Sequence, residues 1–160
     1  MTQPACEAID TTRNLSPAEN KARYRKLYIE EMWNAGNMAV VDKIIHDEVE
    51  YHQPSFEGDT RKADLPGIIQ EFHKAFPAGS FSFTIEELVA EDDWVCAWLS
   101  FIGDQKDEFC GVPSAGKTLK FTVLGFYRFK GGKVIECRKH NVGDNIDFFT
   151  AMGIRGQLGS

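Results

Sequence analysis

The chain has 160 residues, 42% hydrophobic and 26% charged, enough for one domain with a real core. Its net charge is −6 and no block of Lys or Arg stands out, which argues against nucleic acid or an anionic membrane as partner, since both need a basic face. There is no run of about 18 apolar residues, so no transmembrane helix is expected, and "MTQPACEAIDTTRN" lacks the basic start and apolar centre of a secretory signal.

Residues 1–14 read as a flexible tail, 15–154 as the folded domain and 155–160 as a second tail. The first helix begins at "LSPAEN". Ser16 is placed to cap it, Pro17 suits the first turn, and Glu19 completes a capping box. Tyr24, Leu27, Tyr28, Met32 and Trp33 follow at helical spacing, and Gly36 marks the end. "MAVVDKII" predicts a short second helix and "EVEYHQP" a brief strand closed by Pro54. In "RKADLPGIIQEFHKAF", Leu65, Ile68, Ile69, Phe72 and Phe76 form a helical stripe, with Pro66 near the start where it is tolerated.

From residue 80 the period changes from helical to alternating. "SFSFTIEELVAED", "WVCAWLSFIG", "KTLKFTVLGFYRFK" and "KVIECRKHN" predict four strands, the last two joined by a tight turn at Gly131-Gly132. "NIDFFTAMGI" predicts a short closing helix. Helices first and long antiparallel strands second define an α+β domain, with helices on one face of a curved sheet.

Residues 111–118, "GVPSAGKT", match the phosphate-loop pattern letter for letter. That motif works only where a strand turns into a helix whose first N–H groups hold phosphate. Thr118 instead enters a β-branched and aromatic strand, and Pro113 lacks an N–H, so a hairpin loop is the expected reading. Cys6, Cys96, Cys110 and Cys137 have no metal spacing and no CxxC; Cys96 and Cys137 are expected as buried thiols in a reducing, cytoplasmic setting. The absence of HExxH and GxSxG disfavours a zinc enzyme or serine hydrolase.

The residues richest in chemistry are in "KVIECRKHNVGD". Glu136, Arg138 and His140 alternate, so they share one face of a strand. The opposite face, with Ile135, Cys137, Lys139 and Asn141, is also partly polar, so alternation does not identify the core side. Asp144 follows in a turn, where a helix cap is its commonest role. His52 ends a short strand, where a hydrogen-bonded wall residue is the ordinary reading.

The order of "YRKLYIEEMWNAGNMAVVDKII", "VEYHQP", "FHKAFP", "FSFTIEELVAEDDWVCAWLSFIG" and "FCGVPSAGKTLKFTVLGFYRFKGGKVIE" resembles the SnoaL-like polyketide/ester cyclase family over residues 20–153. The resemblance implies a cone-shaped α+β barrel of the nuclear-transport-factor-2-like superfamily, with N-terminal helices on a strongly curved mixed sheet that encloses an apolar pocket. It implies cofactor-free acid/base chemistry on a small hydrophobic substrate such as a polyketide or terpenoid intermediate, and a homodimer. Cyclisation or isomerisation is the leading expectation. An epoxide hydrolase, or a domain that binds a ligand without catalysis, are the alternatives.

Carried over residue by residue, Asp144 best matches the family's general base, and Glu136 matches a Glu on its last strand. Cys137 and Arg138 stand where the family has His-Trp, which departs from the aldol cyclases. His140 takes a place where the cyclases use a His and is the alternative base, Arg138 would stabilise an enolate oxygen, and His52 matches a strand-end His and is expected to line the substrate pocket. If the strand lines the cone, Glu136, Arg138 and His140 face the pocket, and burial raises the carboxylate toward neutrality. Trp33, Trp98, Leu124 and Phe126 would then shape the pocket, with Tyr28 and Tyr127 as weaker candidates.

Overall fold

A computed structural model describes residues 13–52, 60–109, 113–114, 116 and 118–142, with side chains as far as residue 140. Helix α1 (Pro17–Arg23) starts at the expected capping box: the Glu19 N–H donates to Ser16 Oγ at 3.2 Å, and the Ser16 N–H donates to Glu19 Oε2 at 2.8 Å. It runs on as a π-helical segment (Tyr24–Asn34) that buries Tyr24, Tyr28, Ile29 and Met32. Gly36, at φ 66°, ends it in the left-handed conformation that glycine adopts at no steric cost.

A 3₁₀ turn (Met38–Val40) leads into α2 (Val41–Ile44), and β1 (Ile45–His52) follows at once. The strand therefore starts earlier than the sequence suggested. A second 3₁₀ turn (Lys62–Asp64) precedes α3 (Leu65–Ala75), which buries Leu65, Ile69, Phe72 and Ala75. The strands β2 (Phe81–Glu91), β3 (Trp94–Asp104), β4 (Thr118–Lys130) and β5 (Lys133–Val142) complete the described chain. Thr118 opens a strand and not a helix, as the loop reading of "GVPSAGKT" requires.

The sheet is five-stranded and mixed, in the order β1-β5-β4-β3-β2. β1 runs parallel to β5 and the other pairs are antiparallel. The sheet is open, with β1 and β2 as its edges, and does not close into a barrel. Gly131 (φ 56°) and Gly132 (φ 75°) form the tight β4–β5 turn, where both central residues need positive φ.

The three helices cover one face, here called the inner face. Its core holds Val95, Ala97 and Leu99 of β3, Val123 and Tyr127 of β4 and Cys137 of β5. A second cluster at the far end joins Phe72, Ala75, Phe76, Phe101 and Leu119. There Phe101 stacks on Phe121 at 4.6 Å between ring centroids, and Phe72 on Phe76 at 4.9 Å.

Candidate functional site

Directly paired residues of neighbouring strands project to the same face of a sheet. Arg138 pairs with Phe126, His140 with Leu124, and Leu124 in turn with Trp98. All of them lie on the outer face, away from the helices. The expectation that Glu136, Arg138 and His140 face an enclosed pocket is corrected here, and so is the placement of Trp98, Leu124, Phe126 and His52 as pocket walls. The physical reason is the apolar set beneath the helices. Val123, Tyr127 and Cys137 fill that side, so their alternate neighbours must turn outward.

On the outer face Glu136 is held by two guanidinium groups. Arg128 Nε donates to its Oε2 at 2.9 Å, and Arg138 Nε donates to its Oε1 at 2.7 Å. Trp94 lies beneath the Arg128 guanidinium at 5.9 Å. His52 Nε2 stands 3.6 Å from Glu136 and 3.5 Å from Glu50. Burial alone would push the Glu136 carboxyl up, but the hydrogen bonds from Arg128 and Arg138 outweigh it and hold the group below its ordinary value of 4.5. Glu136 is therefore a firmly ionised, fully engaged carboxylate, which makes it a poor base. The sequence-based expectation of a carboxylate near neutrality is corrected in the same way. His140 is exposed on this face. Asp144 lies outside the described residues.

The inner face carries a different constellation. Lys139 follows Cys137 inward, and its Nζ sits over three aromatic rings: Trp33 at 5.2 Å, Tyr28 at 5.4 Å and Tyr51 at 5.9 Å. Each element supplies one part. The π-helical segment brings Tyr28 and Trp33, β1 brings Tyr51, and β5 brings Lys139 and Cys137. Trp33, Tyr51 and Lys139 are half-buried, whereas Tyr28 is sealed.

Behind them Tyr24 stacks on Tyr28 at 5.0 Å, and Tyr127 leans on Tyr24 at 4.6 Å. The hydroxyls of Tyr24, Tyr28, Tyr51 and Tyr127 are buried and meet no hydrogen-bond partner among the described residues. Burial raises the pKa of all four, so each stays a neutral O–H, able to donate. Burial likewise pushes the Cys137 thiol up, which leaves it protonated and unreactive at neutral pH. Cys96, expected as buried, is only half-buried and shares the outer face with Phe126.

Of the residues expected to shape a pocket, Tyr28 and Trp33 stand in this inner group; Lys139 and Tyr51 were not among them. The sequence carried no plain signal for them. Counting back through the Gly131-Gly132 turn would pair Lys139 with Leu124 and Cys137 with Phe126; a bulge near Phe129 shifts the register by one, so that Lys139 pairs with Gly125 and Cys137 with Tyr127. Among the described residues no group of three His, Cys, Asp or Glu side chains is placed to hold a metal ion. No helix among them is long and apolar enough to cross a membrane.

Helices on one face of an open mixed sheet define an α+β protein, with a cation and aromatic hydroxyls between the layers. The SnoaL-like polyketide cyclase family model matches residues 23–150, and the chain belongs to that family. Solved structures agree in fold. AclR from Streptomyces galilaeus, a proposed hydroxylase, superposes with a TM-score of 0.70 at 22% identity, over 87% of this chain and 98% of that one. TsrD from Streptomyces laurentii gives 0.71 at 18% identity, over 88% and 98%. IdmH from Streptomyces antibioticus, a proposed polyketide cyclase, gives 0.66 at 21% identity, over 87% and 99%. A comparison with curated proteins finds no match.

Proposed function

We propose that the chain is a cofactor-independent cyclase or isomerase acting on a polyketide- or terpenoid-like intermediate, with its chemistry between the helices and the inner face of the sheet. Family membership supports the reaction class. The observation that carries the location is the Lys139 ammonium among Tyr28, Trp33 and Tyr51, because a charged group is kept under the helices only where something repays its desolvation.

Asp144, by its place in the sequence just past β5, is the proposed general base. It takes a proton from carbon next to a carbonyl, and the electron pair moves onto oxygen as an enolate. In cyclisation the enolate carbon attacks a second carbonyl of the same molecule, and the new alkoxide takes the proton back. In isomerisation the proton returns at a different carbon. Neither route needs an oxidant or a second substrate. His140, Arg138 and Glu136 are not assigned to this step, since they occupy the outer face.

The test is ring closure of a polyketide β-ketoester methyl ester by the wild type and by Asp144→Asn. A general base predicts a loss of ~10²-fold or more in turnover with the thermal unfolding curve unchanged. Full turnover in the variant would remove Asp144 from the role. Water-derived ¹⁸O in the product would move the reading to a hydrolase.

A second reading has one observation in its favour. The closed pairing of Glu136 with Arg128 and Arg138 is also what a ligand-binding domain without catalysis would keep. Tight binding of the same ester without turnover would support that reading.

The expected homodimer has its best surface on the outer face. Val89, Trp98, Ile102 and Phe126 are 54%, 53%, 46% and 42% exposed, and the strand register puts all four on that face. A second copy meeting it would bury them symmetrically.

A further inference from the structure

Lys139 is a long cation directed under the helices. None of the ion pairs among the described residues involves it. Three aromatic rings solvate it in part, through the attraction of a cation to a ring face. A ring face offers no lone pair, and the Lys139 ammonium makes no hydrogen bond to a described residue, so its N–H groups are left for solvent or a ligand. Two of the same rings, Tyr28 and Tyr51, carry buried hydroxyls that meet no hydrogen-bond partner among the described residues. A buried hydroxyl without a partner is costly, and the half-buried ammonium beside these two adds a positive charge. Each hydroxyl has an O–H to donate, and the charge of the group is positive. What would satisfy them together is an oxygen-rich anion.

We propose that Lys139, with the hydroxyls of Tyr28 and Tyr51, binds an anionic oxygen of the substrate, either a carboxylate or the enolate of an acidic β-dicarbonyl, while Trp33 packs against its flat apolar body. The substrate class is thus a planar, acidic molecule and not a neutral hydrocarbon. An enolate formed during the reaction would gain the same contacts at the moment its charge appears, which is when stabilisation accelerates a step. The proposal rests on the inner-face location argued above, but it does not depend on Asp144.

The probes are 2-naphthoate and its neutral methyl ester, which share a flat ring system and differ in charge. Affinities are read by quenching of tryptophan fluorescence and confirmed by calorimetry. The wild type is expected to prefer the acid by about tenfold or more, as for a hydrogen-bonded ion pair out of water. Lys139→Met should abolish that preference with the ester affinity unchanged, and Lys139→Arg should restore part of it. Trp33→Ala should weaken both probes alike. Thermal unfolding of each variant checks that the fold is kept. Equal binding of acid and ester by the wild type, or a preference that survives Lys139→Met, overturns the anion assignment and leaves the inner-face site standing. Binding of neither probe overturns both.

Discussion

Glu136 sits between Arg128 and Arg138 with 7% of its surface exposed, and its two oxygens are divided between the two guanidinium groups. Because its folded pKa lies below the ordinary 4.5, the pairing adds stability above that value and loses it as pH falls through the folded value. Replacing it with glutamine leaves two part-exposed guanidinium groups facing each other. The expected loss at pH 7 is about 1–2 kcal/mol, the modest figure reflecting solvent access to the arginines. Urea unfolding at pH 7 and at pH 3 checks this: the gap between wild type and Glu136→Gln should shrink at the lower pH. Catalysis is expected to change little, because Glu136 does not face the inner site. The residue types were legible in the sequence, but their roles were not. Alternation shows that Glu136, Arg138 and His140 share a face, and it is silent on which face the helices cover.

At the scale of the element, β5 is where reading and structure diverge. Its two faces are almost equally polar, so the hydrophobic pattern that orients β3 and β4 is too weak there. The orientation is set by its partners. The Gly131-Gly132 turn fixes the register, and a bulge near Phe129 shifts it once, which puts Cys137 opposite Tyr127 and Lys139 opposite Gly125. The other elements were readable because their signals are local: a capping box for α1, a period change at residue 80, and paired glycines for the hairpin. The early start of β1 was not readable, since "DKII" suits a helix end and a strand start equally. Gly125 gives a direct test of the inner packing. A Cβ there would come within 2.5 Å of the Tyr127 ring. Gly125→Ala should therefore destabilise by about 1–3 kcal/mol, the usual range for overpacking, read as a lower urea midpoint. At the helix start, Ser16→Ala should cost about 1 kcal/mol by removing the cap, with no effect on ligand binding.

For the whole molecule, the two faces of the sheet divide the work. The inner face joins helices, aromatic rings and the Lys139 cation, which we propose as a site for a flat acid. The outer face presents a salt-bridge cluster beside an apolar patch, suited to a second copy of the chain. Trp98→Asp should convert a dimer into a monomer in sedimentation velocity while 2-naphthoate still binds; a variant that stays dimeric would move the interface elsewhere. The most direct measurement of the division is the position of 2-naphthoate bound to the wild type, read from intermolecular NMR contacts. Contacts to the rings of Trp33, Tyr28 and Tyr51 and to the Lys139 side chain are expected. Contacts to Trp98 and Phe126 would put the site on the opposite face of the sheet and contradict the inner-face assignment.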